Sequence, residues 1–228
     1  MATSDLFDEW TTYEKVVNND YMHHRHFLAA LEIEVEVRLR TSPAIIDLGC
    51  GDCASIVQLL SRLDVEGYTG IDQSENALAR ANSNLVATGV PFTLHGGTML
   101  DELRDLEGSF DLAIACYSLH HLETTAKQEV LTECRRLLEP GGLLAIIDVF
   151  REEGEARRDY LQRWEMNARQ RFVALEPEEI DELLDHVWEC DFPETVAAYR
   201  KLGSASGFEQ VRPLVNDAER LNRLIILS

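Results

Sequence analysis

Ile45-Ile46-Asp47-Leu48-Gly49-Cys50-Gly51-Asp52-Cys53 is the stretch on which the fold turns. A short apolar run ends in Gly-x-Gly, and helical spacing follows, with Ile56, Leu59, Leu60 and Leu63 on one face. Glycines at such a crossing let the backbone turn tightly and approach a ligand with no Cβ in the way. The amides of the following helix then face the crevice outside the carboxyl end of the strand. Ala54 stands where the looser dinucleotide fingerprint allows glycine or alanine, so that position alone leaves a nicotinamide cofactor open. Asp52, directly after the turn, would repel a pyrophosphate. Asp47 can orient the turn and meet an amino group. Asp72, 21 residues after Gly51, suits a carboxylate that accepts both ribose hydroxyls.

Outward from this segment, strand and helix patterns alternate. Residues 67–71, 92–94, 111–116 and 143–150 read as strands, with helices over 76–87 and 127–138. That spacing argues for a mostly parallel sheet covered on both faces. Pro140-Gly141-Gly142 punctuates the entry to the last of these strands. Residues 208–215 and 221–227 follow as two strands joined by a turn at 216–219, which predicts an antiparallel pair.

At this point four motifs in order resemble the class I S-adenosylmethionine-dependent methyltransferases. They are Asp47-Leu48-Gly49-Cys50-Gly51, Gly70-Ile71-Asp72-Gln73-Ser74, Phe110 to Ile114 with Leu119-His120-His121-Leu122, and Leu137 to Leu144 around Pro140-Gly141-Gly142. The resemblance implies a three-layer, Rossmann-like α/β fold with a seven-stranded sheet and an antiparallel last strand. It implies S-adenosyl-L-methionine as cofactor and methyl transfer to a small molecule. It assigns Gly49, Cys50 and Gly51 to the methionine part, Asp47 to the amino group and Asp72 to the ribose, with Gln73 or Ser74 beside the adenine. Many relatives carry an acid after the third strand that reaches the adenine. Here the stretch is His95-Gly96-Gly97-Thr98-Met99, with Thr98 the nearest match and Met99 able to pack on the adenine face. Cys116 and Tyr117 are expected beside the methyl donor, with His120 and His121 on the rim.

The chain of 228 residues is expected to form one domain, with residues 1–40 as an N-terminal helical cap and 151–206 as a helical lid inserted after the fifth strand. The lid segment contains Tyr160, Trp164, Phe172 and Trp188, so it should pack rather than hang free. Arg163 and Trp164 are its candidate lid contacts. In the cap, Tyr21-Met22-His23-His24-Arg25-His26 concentrates polar groups. On a continuous helix Tyr21, His24 and Arg25 would share one face. Arg25 could then bind a carboxylate on the acceptor, while Tyr21, His24, Tyr117 or His120 orients it or moves a proton. Tyr13 is a similar candidate. The spacing of His23, His24 and His26 disfavours a metal site among them.

A net charge of −20 disfavours nucleic acid and anionic membranes as partners. The acidic opening at Asp5, Asp8 and Glu9 and the lack of a long apolar run point to a cytoplasmic protein. Cys50 and Cys53 lack a second matching pair, so a redox or zinc role is set aside. Three rival readings remain: another reaction on the same cofactor that releases methylthioadenosine, a nicotinamide enzyme, and a non-catalytic binding protein.

Overall fold

The computed structural model describes residues 10–228; the acidic opening at Asp5, Asp8 and Glu9 lies outside them. Five strands are parallel: β1 (Ala44–Leu48), β2 (Gly67–Asp72), β3 (Phe92–Gly96), β4 (Phe110–Cys116) and β5 (Leu138–Val149). β6 (Val211–Asn216) and β7 (Asn222–Leu227) complete the sheet in the order β3-β2-β1-β4-β5-β7-β6. β7 enters between β5 and β6 and runs antiparallel to both. The order reverses at β1, so a crevice opens above the carboxyl ends of β1 and β4, directly over the Gly-x-Gly turn.

Alternation along the strands explains the three layers. On one face Ile46, Leu48, Ala113, Ala115, Leu144 and Ile146 pack with α5 (Met99–Asp105) and α6 (Thr124–Leu137). On the other, Ile45, Leu112, Ile114, Leu143, Ala145 and Ile147 meet α2 (His24–Arg38), α3 (Val57–Leu60) and α4 (Glu75–Val86). Both faces of β1 and β5 are dry, which is why their sequences are near-continuous apolar runs instead of alternating ones.

The cap is two helices, α1 (Trp10–Asn18) and α2, separated by a turn. Asp20 and His23 both take left-handed backbone angles there. The side chain of Asp20 accepts the Arg25 amide at 3.2 Å, which completes the turn. The shared helical face expected for Tyr21, His24 and Arg25 is therefore corrected: Tyr21 precedes the helix, and within α2 His24 is buried while Arg25 is exposed.

After β5 come α7 (Arg157–Arg171), α8 (Pro177–Cys190) and α9 (Val196–Ala205). Glu176 and Glu179 form a reciprocal capping box at the start of α8, with Pro177 in its first turn. Tyr160, Trp164, Phe172, Ile180, Leu184 and Val187 make a third apolar cluster that includes Val16 of the cap and Leu221 beside β7. α9 behaves differently: Val196, Tyr199 and Leu202 pack in the same cluster as α6 and the sheet. It is the ordinary crossover helix leading to β6. The chain returns from the insert through a parallel bridge between Phe150 and Glu194, with the Arg151 amide donating to the Glu194 carbonyl at 3.0 Å. Among the described residues no helix is long and apolar enough to cross a membrane.

Candidate active site

The Gly-x-Gly turn is anchored from β2. The amides of Gly49 and Cys50 both donate to the Ile71 carbonyl, at 2.8 and 3.0 Å. Gly49 sits at φ +70, and a Cβ there would stand 2.6 Å from the Cβ of Ser118 and 3.2 Å from the Met99 side chain. Only glycine satisfies both the backbone angle and the approach. Ser118, just past β4, donates from Oγ to the Leu48 carbonyl at 2.6 Å, so the ends of β1 and β4 are stitched together beneath the crevice.

Two carboxylates flank this turn. Asp47 is buried, and the Tyr68 hydroxyl donates to its Oδ2 at 2.8 Å, while Oδ1 is buried with no hydrogen-bond partner. Burial raises the Asp47 carboxyl to about 7, outweighing the Tyr68 hydrogen bond, which acts to lower it. Asp72, at the end of β2, accepts the Gly51 amide at Oδ2 and the Ser74 amide at Oδ1, each at 2.8 Å. Tyr13 reaches down from α1, its hydroxyl 3.7 Å from where a Gly51 Cβ would lie. Tyr13, His24, Leu28, Asp47, Gly49, Cys50, Asp52 and Cys116 line one cleft.

Along the adenine side implied by sequence, Ser74 caps α4 by accepting the Ala77 amide, and Gln73 is exposed beside it. Gly97 packs against the flexible end of the Glu102 side chain, and its amide donates to the Asp72 carbonyl. Thr98 caps α5: its hydroxyl accepts the Asp101 amide and donates to the Asp101 carboxylate at 2.7 Å. The expectation that this hydroxyl replaces the missing adenine acid meets a side chain already engaged in its own helix. Met99 extends over Gly49. Cys50 and Cys53 carry no disulfide; the hydrogen bond between them, then burial, raises the Cys50 thiol, while burial raises Cys116.

On the cap side, Tyr21 stacks on Phe172 with ring centroids 4.5 Å apart, and its hydroxyl accepts the Ala174 amide at 2.8 Å. Cap and insert are thereby joined, and Lys15 of α1 pairs with Glu179 of α8 at 2.6 Å to the same effect. Tyr117, at φ +53, donates its hydroxyl to the Met22 carbonyl and meets the edge of His24. His24 is 7% exposed, its Nδ1 has no partner, and burial lowers it to about 4, so it is a neutral imidazole near pH 7. Arg25 borders a second groove continuous with the first through His24, Leu28, Ala54 and Ser55. One of its guanidinium nitrogens donates to the Asn18 carbonyl at 3.2 Å.

His120 lies elsewhere. It is buried under the insert, with Nδ1 2.5 Å from Asp148 of β5 and Nε2 3.7 Å from Asp191 at the end of α8. Burial acts to lower it, but the two carboxylates outweigh that and hold it at about 9. Arg163 is committed to Glu155 at 3.0 Å and to the Glu219 and Arg220 carbonyls, and Trp164 to the third apolar cluster. Structure thus brings together Asp47, Gly49, Cys50, Cys116 and His24, with Asp72 bound to Gly51 beside them. Tyr21, Arg163 and His120 stand away from that cleft. Tyr68 and Ser118 were not legible as site residues, because each acts across the sheet on a residue remote in sequence.

Comparisons with known proteins agree with this geometry. The methyltransferase domain family matches residues 45–142, from β1 to the entry of β5. An O-methyltransferase of Aspergillus nomiae, rstn1, is 37% identical over 124 residues, covering 53% of this chain and 52% of the relative. An uncharacterised methyltransferase of Synechocystis is 32% identical over 109 residues, 47% of each protein. The chain therefore spans about half the length of the curated relatives it matches. The solved structure of CalO1, a methyltransferase in calicheamicin biosynthesis, superposes with a TM-score of 0.66 at 16% identity, over 98% of this chain and 58% of that one. The strand order, the glycine turn and the match over residues 45–142 agree: the chain has the fold of solved methyltransferases and is similar to the methyltransferase domain family over that stretch.

Proposed function

We propose that this protein transfers the methyl group of S-adenosylmethionine to a small-molecule acceptor, leaving S-adenosylhomocysteine. The observation that carries the proposal is Asp47 Oδ1, a buried carboxylate oxygen with no protein partner in a cleft walled by Gly49 and Cys50. A buried anion without a partner is costly, and a cationic amino group would satisfy it. Asp72 offers carboxylate oxygens for ribose hydroxyls, and Met99 an apolar surface over the turn. The residues present fit the cofactor. When bound, S-adenosylmethionine supplies an electrophilic sulfonium methyl, and alignment of the acceptor accounts for most of the rate enhancement.

The chain's own contribution is positional. His24 Nδ1 can accept a hydrogen bond from an acceptor hydroxyl, and the lowered basicity makes this an orienting contact more than a strong proton sink. Tyr117 holds the cap over the crevice through Met22. Arg25, bordering the adjoining groove, can anchor a carboxylate on the acceptor. An oxygen acceptor is the first class to test, since one relative is named an O-methyltransferase.

Titration calorimetry with S-adenosylmethionine and S-adenosylhomocysteine tests the proposal. Asp72→Ala should weaken both by about 50-fold, a loss of ~2.3 kcal/mol. Affinity should also rise as pH increases through about 7, because the amino group needs the ionised form of Asp47; Asp47→Asn should remove that slope. Equal affinity in wild type and both variants rejects the site. Release of methylthioadenosine in place of S-adenosylhomocysteine rejects methyl transfer while sparing the cofactor.

A further inference from the structure

Outside the cofactor cleft, His120 and His121 follow β4 in a single turn of 3₁₀ helix and face Asp191, the residue that ends α8. Asp191 Oδ1 stands 3.7 Å from His120 Nε2 and 3.6 Å from His121 Nδ1. Neither distance is a hydrogen bond, and both Asp191 Oδ1 and His121 Nδ1 are buried with no partner. Asp191 is 4% exposed and His120 8%. Three donor atoms thus converge on one gap, each too far from the others to satisfy it.

We infer that His120, His121 and Asp191 form a binding site for one divalent transition-metal ion of the zinc class. Donors about 2.1 Å from a tetrahedral ion stand about 3.4 Å apart, close to the 3.7 and 3.6 Å between Asp191 Oδ1 and the two imidazoles. A proton can bridge only one pair of these atoms, whereas a cation satisfies all three. Two imidazoles with one carboxylate favour zinc or cobalt over magnesium or calcium, which prefer oxygen throughout. His120 is also oriented from behind: its Nδ1 meets Asp148 Oδ1 at 2.5 Å, and the His120 amide donates to Asp148 Oδ2 at 3.0 Å. An incoming ion would displace the Nε2 proton, leaving His120 with its proton on Nδ1 toward Asp148 and its Nε2 lone pair on the ion, the usual outer arrangement of a histidine ligand. Asp148 is fully buried on β5, so this orientation is fixed by the sheet.

A second trio, His23, Asp217 and Glu219, is better supplied with protein partners. Asp217 there accepts the amides of Leu221 and Asn222 and the Asn222 side chain. Glu219 pairs with Arg171 through Oε1, and its Oε2, without a hydrogen-bond partner, lies 3.5 Å from His23 Nε2. The first trio differs in leaving two of its facing atoms, Asp191 Oδ1 and His121 Nδ1, without a hydrogen-bond partner. The ion would pin the end of α8 to the end of β4, next to the existing bond from the Phe192 amide to the His120 carbonyl at 2.7 Å.

The test uses the full chain, stripped with a chelator and dialysed, then titrated with Zn²⁺ or Co²⁺ alone. The expected result is one ion per chain with a rise in melting temperature, and a change in the Co²⁺ visible spectrum on binding. His121→Gln leaves the Asp148–His120–Asp191 arrangement in place and should weaken the ion at least 50-fold, as should Asp191→Asn. Glu219→Gln should leave binding unchanged. Circular dichroism and S-adenosylhomocysteine affinity report whether each variant is folded. Substoichiometric binding by the wild type, equal binding by folded His121→Gln, or loss of binding in Glu219→Gln overturns the assignment.

Discussion

The β1–β3 side of the crevice and the cap-and-insert side are built on opposite principles. On the first, backbone groups do the holding: Gly49 and Cys50 amides bind Ile71, Gly51 binds Asp72, and Gly97 binds the Asp72 carbonyl. On the second, long side chains reach between elements far apart in sequence, Tyr21 to Phe172, Tyr117 to Met22 and Lys15 to Glu179. A ligand common to a whole family can be held by a fixed backbone shape. The acceptor differs between enzymes, and side-chain bridges between separate helices can change without disturbing the sheet.

That contrast can be broken or sharpened by substitution. If the glycine side is rigid, Gly49→Ala should cost about 4 kcal/mol of stability, combining ~1–2 for the left-handed backbone and ~1–3 for overpacking against Ser118. A denaturant midpoint near the wild type would show that this side can relax. His24 sits where the two sides meet. Its pKa is lowered from 6.5 to about 4, so the native state binds its proton less readily than the unfolded chain. The stability contribution is therefore intact above about 6.5 and lost progressively as pH falls toward 4, by about 3 kcal/mol in full. In His24→Leu that part of the acid limb should flatten in urea titrations, and an unchanged limb would assign it to other groups.

Smaller effects are expected on the cap. Arg25→Ala should raise the acceptor KM about tenfold, ~1.4 kcal/mol, with S-adenosylhomocysteine affinity unchanged. A parallel loss in both would mean that cap and cofactor cleft are one unit. Tyr21→Phe keeps the stack on Phe172 and removes only the bond from the Ala174 amide, so thermal unfolding should report a loss of about 1 kcal/mol.

The two sides were also unequally legible in sequence. Gly49, Gly51, Asp47 and Asp72 could be placed from sequence because their positions follow from local backbone chemistry and a fixed spacing after a strand. The seven-stranded sheet and its antiparallel β7 followed from the same motifs. The cap was harder, because two left-handed residues at Asp20 and His23 break what periodicity presents as one helix, and they moved Tyr21 off the face assigned to it. Thr98 illustrates another limit: a hydroxyl suited to a base contact is equally suited to capping a helix, and position alone does not separate the two. The partners of His120 come from β5 and α8, which only the tertiary fold brings together.

The bridge between Phe150 and Glu194 has an evolutionary consequence. Because the two ends of α7 and α8 leave and rejoin the scaffold as neighbours, the segment between them is a detachable cassette. Closing a loop there depends only logarithmically on how many residues it contains. Lineages could lengthen, shorten or replace that cassette, and with it the bracing of the N-terminal helices, while the register of β5 against β7 and the glycine turn stay as they are.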